Sequence, residues 1–121
     1  RLIDRGLPLT RFGDGSTRRD YTYITDIING VMRAIERVQG FEIINLGGSQ
    51  TTRLSELIEL VEKNLGRKAI IEGQRGQPGD VVATYADVEK ARRLLEYEPK
   101  VSVEDGIGRF VQWYKGVKVQ V

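Results

Sequence analysis

The stretch TDIINGVMRAIERVQGFEIINLGG, residues 25–48, decides the fold. Its first half sets Ile27, Ile28, Val31, Ala34, Ile35 and Val38 at helical spacing, with Thr25 or Asp26 as N-terminal cap and Gly40 as the stop. Its second half, Phe41 to Leu46, is β-branched and bounded by Gly47 and Gly48, so it is read as a strand. The apolar run is nearly continuous, which suits a strand buried on both faces, as in a parallel sheet. A helix feeding such a strand makes the chain α/β.

Outward from that unit the same punctuation repeats. Arg1 to Arg5 reads as the last turn of a helix with Gly6 as its left-handed cap, so the start looks cut. Leu7 to Phe12 is extended, Gly13 to Ser16 is a turn, and Tyr21 to Ile24 is extended again. Downstream, Leu54, Leu57, Ile58, Val61 and Leu65 form the stripe of a helix stopped by Gly66. Ala69 to Glu72 is a strand, and Gly73 to Asp80 is a loop with three glycines and one proline. Val81 to Tyr85 is extended, and Asp87 caps a helix that lasts to Leu95. Ser102-x-x-Asp105 opens the last helix as a capping box, with Val103, Ile107, Phe110, Val111 and Tyr114 as its buried stripe and Gly116 as its end. The alternating tail from Val117 to Val121 is an edge strand or a disordered end. These elements are too few for a complete doubly wound sheet, so residues 1–121 read as a single incomplete unit.

Composition narrows the chemistry. A chain of 121 residues, 40% apolar and 30% charged, is long enough for one core and too apolar for disorder. It has no run long enough to span a membrane and no signal segment at its start. With neither cysteine nor histidine there is no disulfide, thiol nucleophile, imidazole base or ordinary zinc site, and no metal is expected. Nineteen basic residues against seventeen acidic ones leave a net charge of +2, which argues against a nucleic-acid partner.

Two segments carry candidate chemistry. In the first, Gly13 to Tyr21, a glycine turn precedes Arg18 and Arg19, whose guanidinium forks match phosphate oxygens. A plain turn with solvated arginines explains the same residues. In the second, Arg75 to Asp80, an aspartate can accept from sugar hydroxyls and Arg75 can reach a phosphate, or Asp80 simply caps its own turn. No βα turn carries Gly-x-Gly-x-x-Gly, so no dinucleotide fingerprint is present. Tyr114-x-x-x-Lys118 matches a dehydrogenase catalytic pair only formally, since Tyr114 belongs to a buried stripe.

Taken in order, the blocks Gly6 to Gly15, Arg19-Asp20-Tyr21-x-Tyr23-Ile-x-Asp26, Asn45-Leu-Gly47-Gly48, Gln77-Pro-Gly-Asp80-Val81, Thr84-Tyr85-Ala86-Asp87 and Lys90 to Pro99 resemble the C-terminal part of extended short-chain dehydrogenase/reductases. Within that superfamily the likeness is to NAD-dependent nucleotide-sugar epimerases and dehydratases. The Gln-Pro-Gly-Asp-Val form, where galactose-type enzymes carry Arg at the position of Gln77, looks like the UDP-glucuronate 4-epimerases. The resemblance implies a UDP-sugar ligand. Leu9, Thr10 and Phe12 would lie against the base, Arg19 on the diphosphate, and the loop with Arg75, Gln77 and Asp80 over the ribose and diphosphate. It also implies oxidation of the sugar at C4, rotation of the keto-sugar and re-reduction. NAD and the Tyr/Lys catalytic pair would lie in a missing N-terminal Rossmann domain, so this chain is expected to hold no cofactor and no catalytic residue. Residues 25–48 would pack on that domain and complete its sheet, while 50–116 would form a small substrate-binding subdomain. The alternatives are a dehydratase, decarboxylase or reductase of the same superfamily, or a stand-alone nucleotide-sugar-binding module. A cytoplasmic setting and self-association of the isolated chain are expected as well.

Overall fold

Several helix ends fall at a left-handed residue or a side-chain cap. A computed structural model describes residues 1–118. Gly6 (φ 66°) closes α1, Leu2–Arg5, and Gly66 (φ 72°) closes α3, Leu54–Leu65, whose bounds are those the stripe predicts. Ser102 Oγ accepts from the Asp105 amide at 3.0 Å and opens α5, Val103–Lys118. The other helices are α2, Ile24–Arg37, and α4, Glu89–Leu95. The strands are β1 Pro8–Phe12, β2 Arg18–Arg19, β3 Thr52–Arg53, β4 Ile70–Gln74 and β5 Ala83–Thr84.

Two small sheets result. β1 and β4 run parallel with Pro8 opposite Ile70 and Phe12 opposite Gln74. β2 is the middle strand of the other sheet, antiparallel to β3 and parallel to β5. The main core is Val88, Ala91, Leu95 and Tyr97, on which Ala34, Val38, Ile44 and Leu46 pack. Residues 25–48 and α4 therefore share one core. α3 lies along α5, and no described helix is long and apolar enough to cross a membrane.

Several expectations give way here. α2 begins two residues earlier than a Thr25 cap allows, with Tyr23 at the cap position and no side-chain cap bond, and it ends at Arg37 with Val38 already extended, short of the Gly40 stop. Asp26 is instead buried within the first turn, where its Oδ2 accepts the amides of Lys100 (3.1 Å) and Val101 (2.9 Å). Those donors pull it inward and away from a capping role. The segment Tyr21 to Ile24 is not a strand; the ladder is confined to Arg18–Arg19. Phe41 to Leu46 is extended in sequence but is no strand of either sheet, because no described strand lies beside it. Nor is it buried on both faces: Ile44 and Leu46 turn onto the core, while Phe41 is 86% and Ile43 72% exposed. Gly116 does not end α5, which continues to Lys118. The tail reading for 119–121 lies outside the described residues.

α2 is apolar on two sides. Ala34 and, just past the helix end, Val38 face the core, while Ile24, Ile28, Val31 and Ile35, spaced i, i+4, i+7, i+11, form a second stripe that faces out.

Tyr97 closes the core at its polar end, donating from its hydroxyl to the Gly47 carbonyl at 3.1 Å. Burial, followed by the charges of Asp26 and Asp20, raises its phenol above the usual value near 10. The folded protein thus holds that proton more tightly than the unfolded chain. This contribution to stability is intact below about pH 10 and is lost as pH rises through the elevated value. Tyr97→Phe is expected to cost about 0.5–1.5 kcal/mol at neutral pH, the worth of a typical hydrogen bond. It should also flatten the fall in stability above about pH 10, read by urea denaturation at a series of pH values.

Candidate functional site

The site is built around β2, where adjacent residues of an extended strand face opposite ways. Arg18 turns to one side and is engaged by Thr51, with Nε on Oγ1 at 2.8 Å and Nη2 on the carbonyl at 2.9 Å. Arg19 turns to the other. Its Nη1 donates to the carbonyls of Arg18 (2.8 Å) and Val81 (3.0 Å), and its Nη2 to Asp80 Oδ1 at 2.6 Å. Two carbonyls therefore fix the guanidinium in direction, with Asp80 at its outer corner.

The next residue, Asp20, is the joint of the site. Oδ1 accepts from the Gly48 amide (2.8 Å) and the Thr22 hydroxyl (3.0 Å), and Oδ2 from the amides of Ser49 (3.0 Å) and Ala86 (3.2 Å). Side-chain-free backbone is needed for that approach. A Cβ on Gly47 would sit 2.6 Å from Ala86 Cβ and 2.8 Å from Asp20 Oδ2, and one on Gly48 2.9 Å from Asp20 Oδ1.

Around this joint opens a cleft of about 530 Å³, lined by Arg19, Asp20 and Thr22, by Ile44 to Gly47, and by Thr84, Tyr85 and Ala86. Its one cation is Arg19. The hydroxyls of Thr22, Thr84 and Tyr85 and the Asn45 amide add neutral donors and acceptors, a set suited to an anionic, hydroxyl-bearing ligand. No described cluster of carboxylates could hold a metal ion.

The other predicted residues are placed unevenly. Arg19 and Asp80 are brought together. Gln77 is on the same loop, its carbonyl accepting the Asp80 amide at 3.2 Å, and Arg75 is exposed. Phe12 lies opposite Gln74, at the point where that loop begins. Thr10 and Phe12 share the exposed face of β1, whereas Leu9 lies on the opposite, half-buried face, so these three do not form one surface. The joint residue Asp20 and the cleft wall at Thr84 and Tyr85 were not singled out from sequence. The signal for the former was an acid next to Arg19, with a Gly-Gly pair elsewhere to receive it.

Residues 2–110 match the protein family described as GDP-mannose 4,6 dehydratase. The chain belongs to that family. Among curated relatives, UDP-glucuronate 4-epimerase of Thermodesulfobacterium geofontis is 42% identical over 109 residues, which is 89% of this chain and 33% of that protein. The uncharacterized protein MJ1055 of Methanocaldococcus jannaschii is 43% identical, over 90% of this chain and 33% of its own. Among solved structures, UDP-glucuronic acid 4-epimerase of Bacillus cereus, in complex with UDP-glucuronic acid and NAD, superposes with a TM-score of 0.85 at 38% identity. That match covers 97% of this chain and 39% of the other. UDP-glucose 4-epimerase of Thermotoga maritima, with UDP-glucose, gives a TM-score of 0.88 at 30% identity, over 97% and 38%. The chain thus spans about a third of the length of the curated relatives it matches, and it corresponds to their C-terminal part.

Asp20→Asn tests the joint. An amide offers one acceptor oxygen in place of two and turns an N–H₂ toward backbone donors. A loss of about 1.5–3 kcal/mol is expected, the worth of a hydrogen bond to a charged group, measured by chemical denaturation. Thr22→Val, which removes only one neutral partner, should cost less.

Proposed function

We propose that this chain is the nucleotide-sugar-binding part of an NAD-dependent UDP-sugar 4-epimerase. The observation that carries the reading is Arg19. Its guanidinium is held by two main-chain carbonyls at the rim of a cleft lined with hydroxyls, inside a fold shared with epimerases crystallised with UDP-sugars. In that role Arg19 binds the diphosphate, Thr10 and Phe12 offer the exposed face of β1 to the base, and the loop of Arg75, Gln77 and Asp80 closes over the ribose. Leu9 would act from behind, by supporting that strand. The chain itself does not fit NAD: its sequence has no Gly-x-Gly-x-x-Gly turn opening a helix on which the pyrophosphate would rest. On this reading the cofactor and the proton-transferring Tyr and Lys belong to an N-terminal part of the relatives' length that this chain does not span, in a cytoplasmic enzyme. A dehydratase is the second reading, favoured by the family's own description. A longer protein carrying this chain decides between them, since an epimerase returns an isomer of the UDP-sugar and a dehydratase a keto-sugar that has lost water.

The same longer protein tests Arg19. Arg19→Ala is expected to weaken UDP binding about ten- to hundredfold in calorimetry, since charge-assisted bonds to phosphate are worth roughly 1.5–3 kcal/mol. Arg18→Ala should leave UDP affinity within about twofold, as its partner is Thr51 and not the cleft. Equal affinities in wild type and Arg19→Ala would remove the diphosphate assignment.

The outward stripe of α2 and the exposed Phe41 and Ile43 are on this reading surfaces that meet the N-terminal Rossmann part. The split into 25–48 and 50–116 then marks which residues touch that part, within a single shared core. Apolar patches beyond a few hundred Å² drive association when left open. The isolated chain is expected to form dimers in sedimentation, and Ile28→Asp with Ile35→Asp to return it to monomers. A wild-type chain that stays monomeric at high concentration would contradict this.

A further inference from the structure

Residues 72–85 are all exposed, and Cβ atoms built on Gly73, Gly76 and Gly79 would meet nothing within 4 Å. The loop between β4 and β5 therefore stands away from the body of the chain. Its flanks are fixed by main chain, through Gly13 N to the Gln74 carbonyl (2.9 Å) and Arg18 N to the Val82 carbonyl (2.8 Å). Between those flanks, among the described residues, one ion pair ties the loop back: Arg19 Nη2 on Asp80 Oδ1.

We propose that Asp80 is a built-in stand-in for the ligand's diphosphate. Its carboxylate occupies Arg19 until phosphate oxygens displace it, and the exchange frees the loop 75–80 to move onto the bound nucleotide. This deepens the assignment of Arg19 to the diphosphate and rests on it. A guanidinium serves carboxylate and phosphate oxygens through the same charge-assisted bonds, so the two anions compete for one donor edge. The pair is accessible to that competition, with side chains 31% and 41% exposed. Arg19 does not follow Asp80 when it leaves, because Nη1 remains on the carbonyls of Arg18 and Val81. The loop rearranges at low cost: its glycines are unobstructed, and Gly79 already sits at φ 85°. Asp80, once released, is free to accept a sugar hydroxyl.

Inorganic pyrophosphate, which has neither base nor ribose, isolates the exchange. In an NMR titration of the chain at fixed ionic strength, Asp80→Asn is expected to bind pyrophosphate about three- to tenfold tighter than wild type, as one competing ion pair is lost. Glu72→Gln removes the same charge without touching Arg19 and should change affinity less than about twofold. Amide exchange over residues 76–80 should speed up in wild type when pyrophosphate is added and be fast from the start in Asp80→Asn. Equal or weaker binding by Asp80→Asn, or a gain no larger than that of Glu72→Gln, overturns the proposal while leaving Arg19 in place. If Arg19→Ala binds pyrophosphate as well as wild type does, it is the diphosphate assignment itself that fails. Should association of the isolated chain broaden its spectra, the same variants in the longer protein give the affinities by calorimetry.

Discussion

One carboxylate holds the site together. Asp20 accepts four hydrogen bonds, which fills the usual capacity of an ionised carboxyl group, and three of its donors are backbone amides of segments remote in sequence. Gly48 and Ser49 come from the end of the extended segment after α2, and Ala86 from the approach to α4. Ala86 packs on the main core, and Gly47 receives the Tyr97 hydroxyl, so the joint connects the cleft to the most buried residues of the chain. The glycine pair at 47 and 48 exists on account of this carboxylate, since a methyl group at either position meets it or Ala86. Arg19 inherits its direction from the same short strand, one residue before the anchor.

Which features were legible in the sequence follows from the range of the forces that make them. The ends of α3, the left-handed caps Gly6 and Gly66 and the Ser102 cap are set by residues within one turn, and all were readable. Asp26 was misread because its partners, the amides of Lys100 and Val101, are more than seventy residues away. Five of the six apolar positions read as helical lie in α2, Val38 being already extended just past its end, but spacing alone cannot say that Ala34 faces inward while Ile28 and Ile35 face out. In the candidate site the residue types at Arg19 and Asp80 were visible, and their contact was not. Leu9, read as a companion of Thr10 and Phe12, lies across the strand from them by the simple alternation of β structure.

The phenols illustrate what these residues are built to do. A general base needs a lowered pKa and an open path to its substrate. Tyr97 has neither, being buried against Gly47 with its proton held more tightly than in water. Tyr114 donates to Asp4 Oδ2 at 3.0 Å and joins α5 to α1, so its match to a Tyr-x-x-x-Lys pattern reflects packing between helices. The polar side chains that line the cleft are the Arg19 guanidinium, the Asp20 carboxylate, the hydroxyls of Thr22, Thr84 and Tyr85 and the Asn45 amide.

Binding and assembly meet in the segment 41–47. Ile44 and Leu46 face the core, and Ile44 to Gly47 line the cleft, while Phe41 and Ile43 stand in solvent, as does the outer stripe of α2. On the proposed reading, a body seated on these apolar residues lies along the same extended segment that forms one wall of the cleft, and its own strand would extend a ladder to 41–46, which belongs to neither sheet of the described residues. The N-terminal part then adds its support to a cleft wall already pinned to the core through Leu46 and the Gly47 carbonyl.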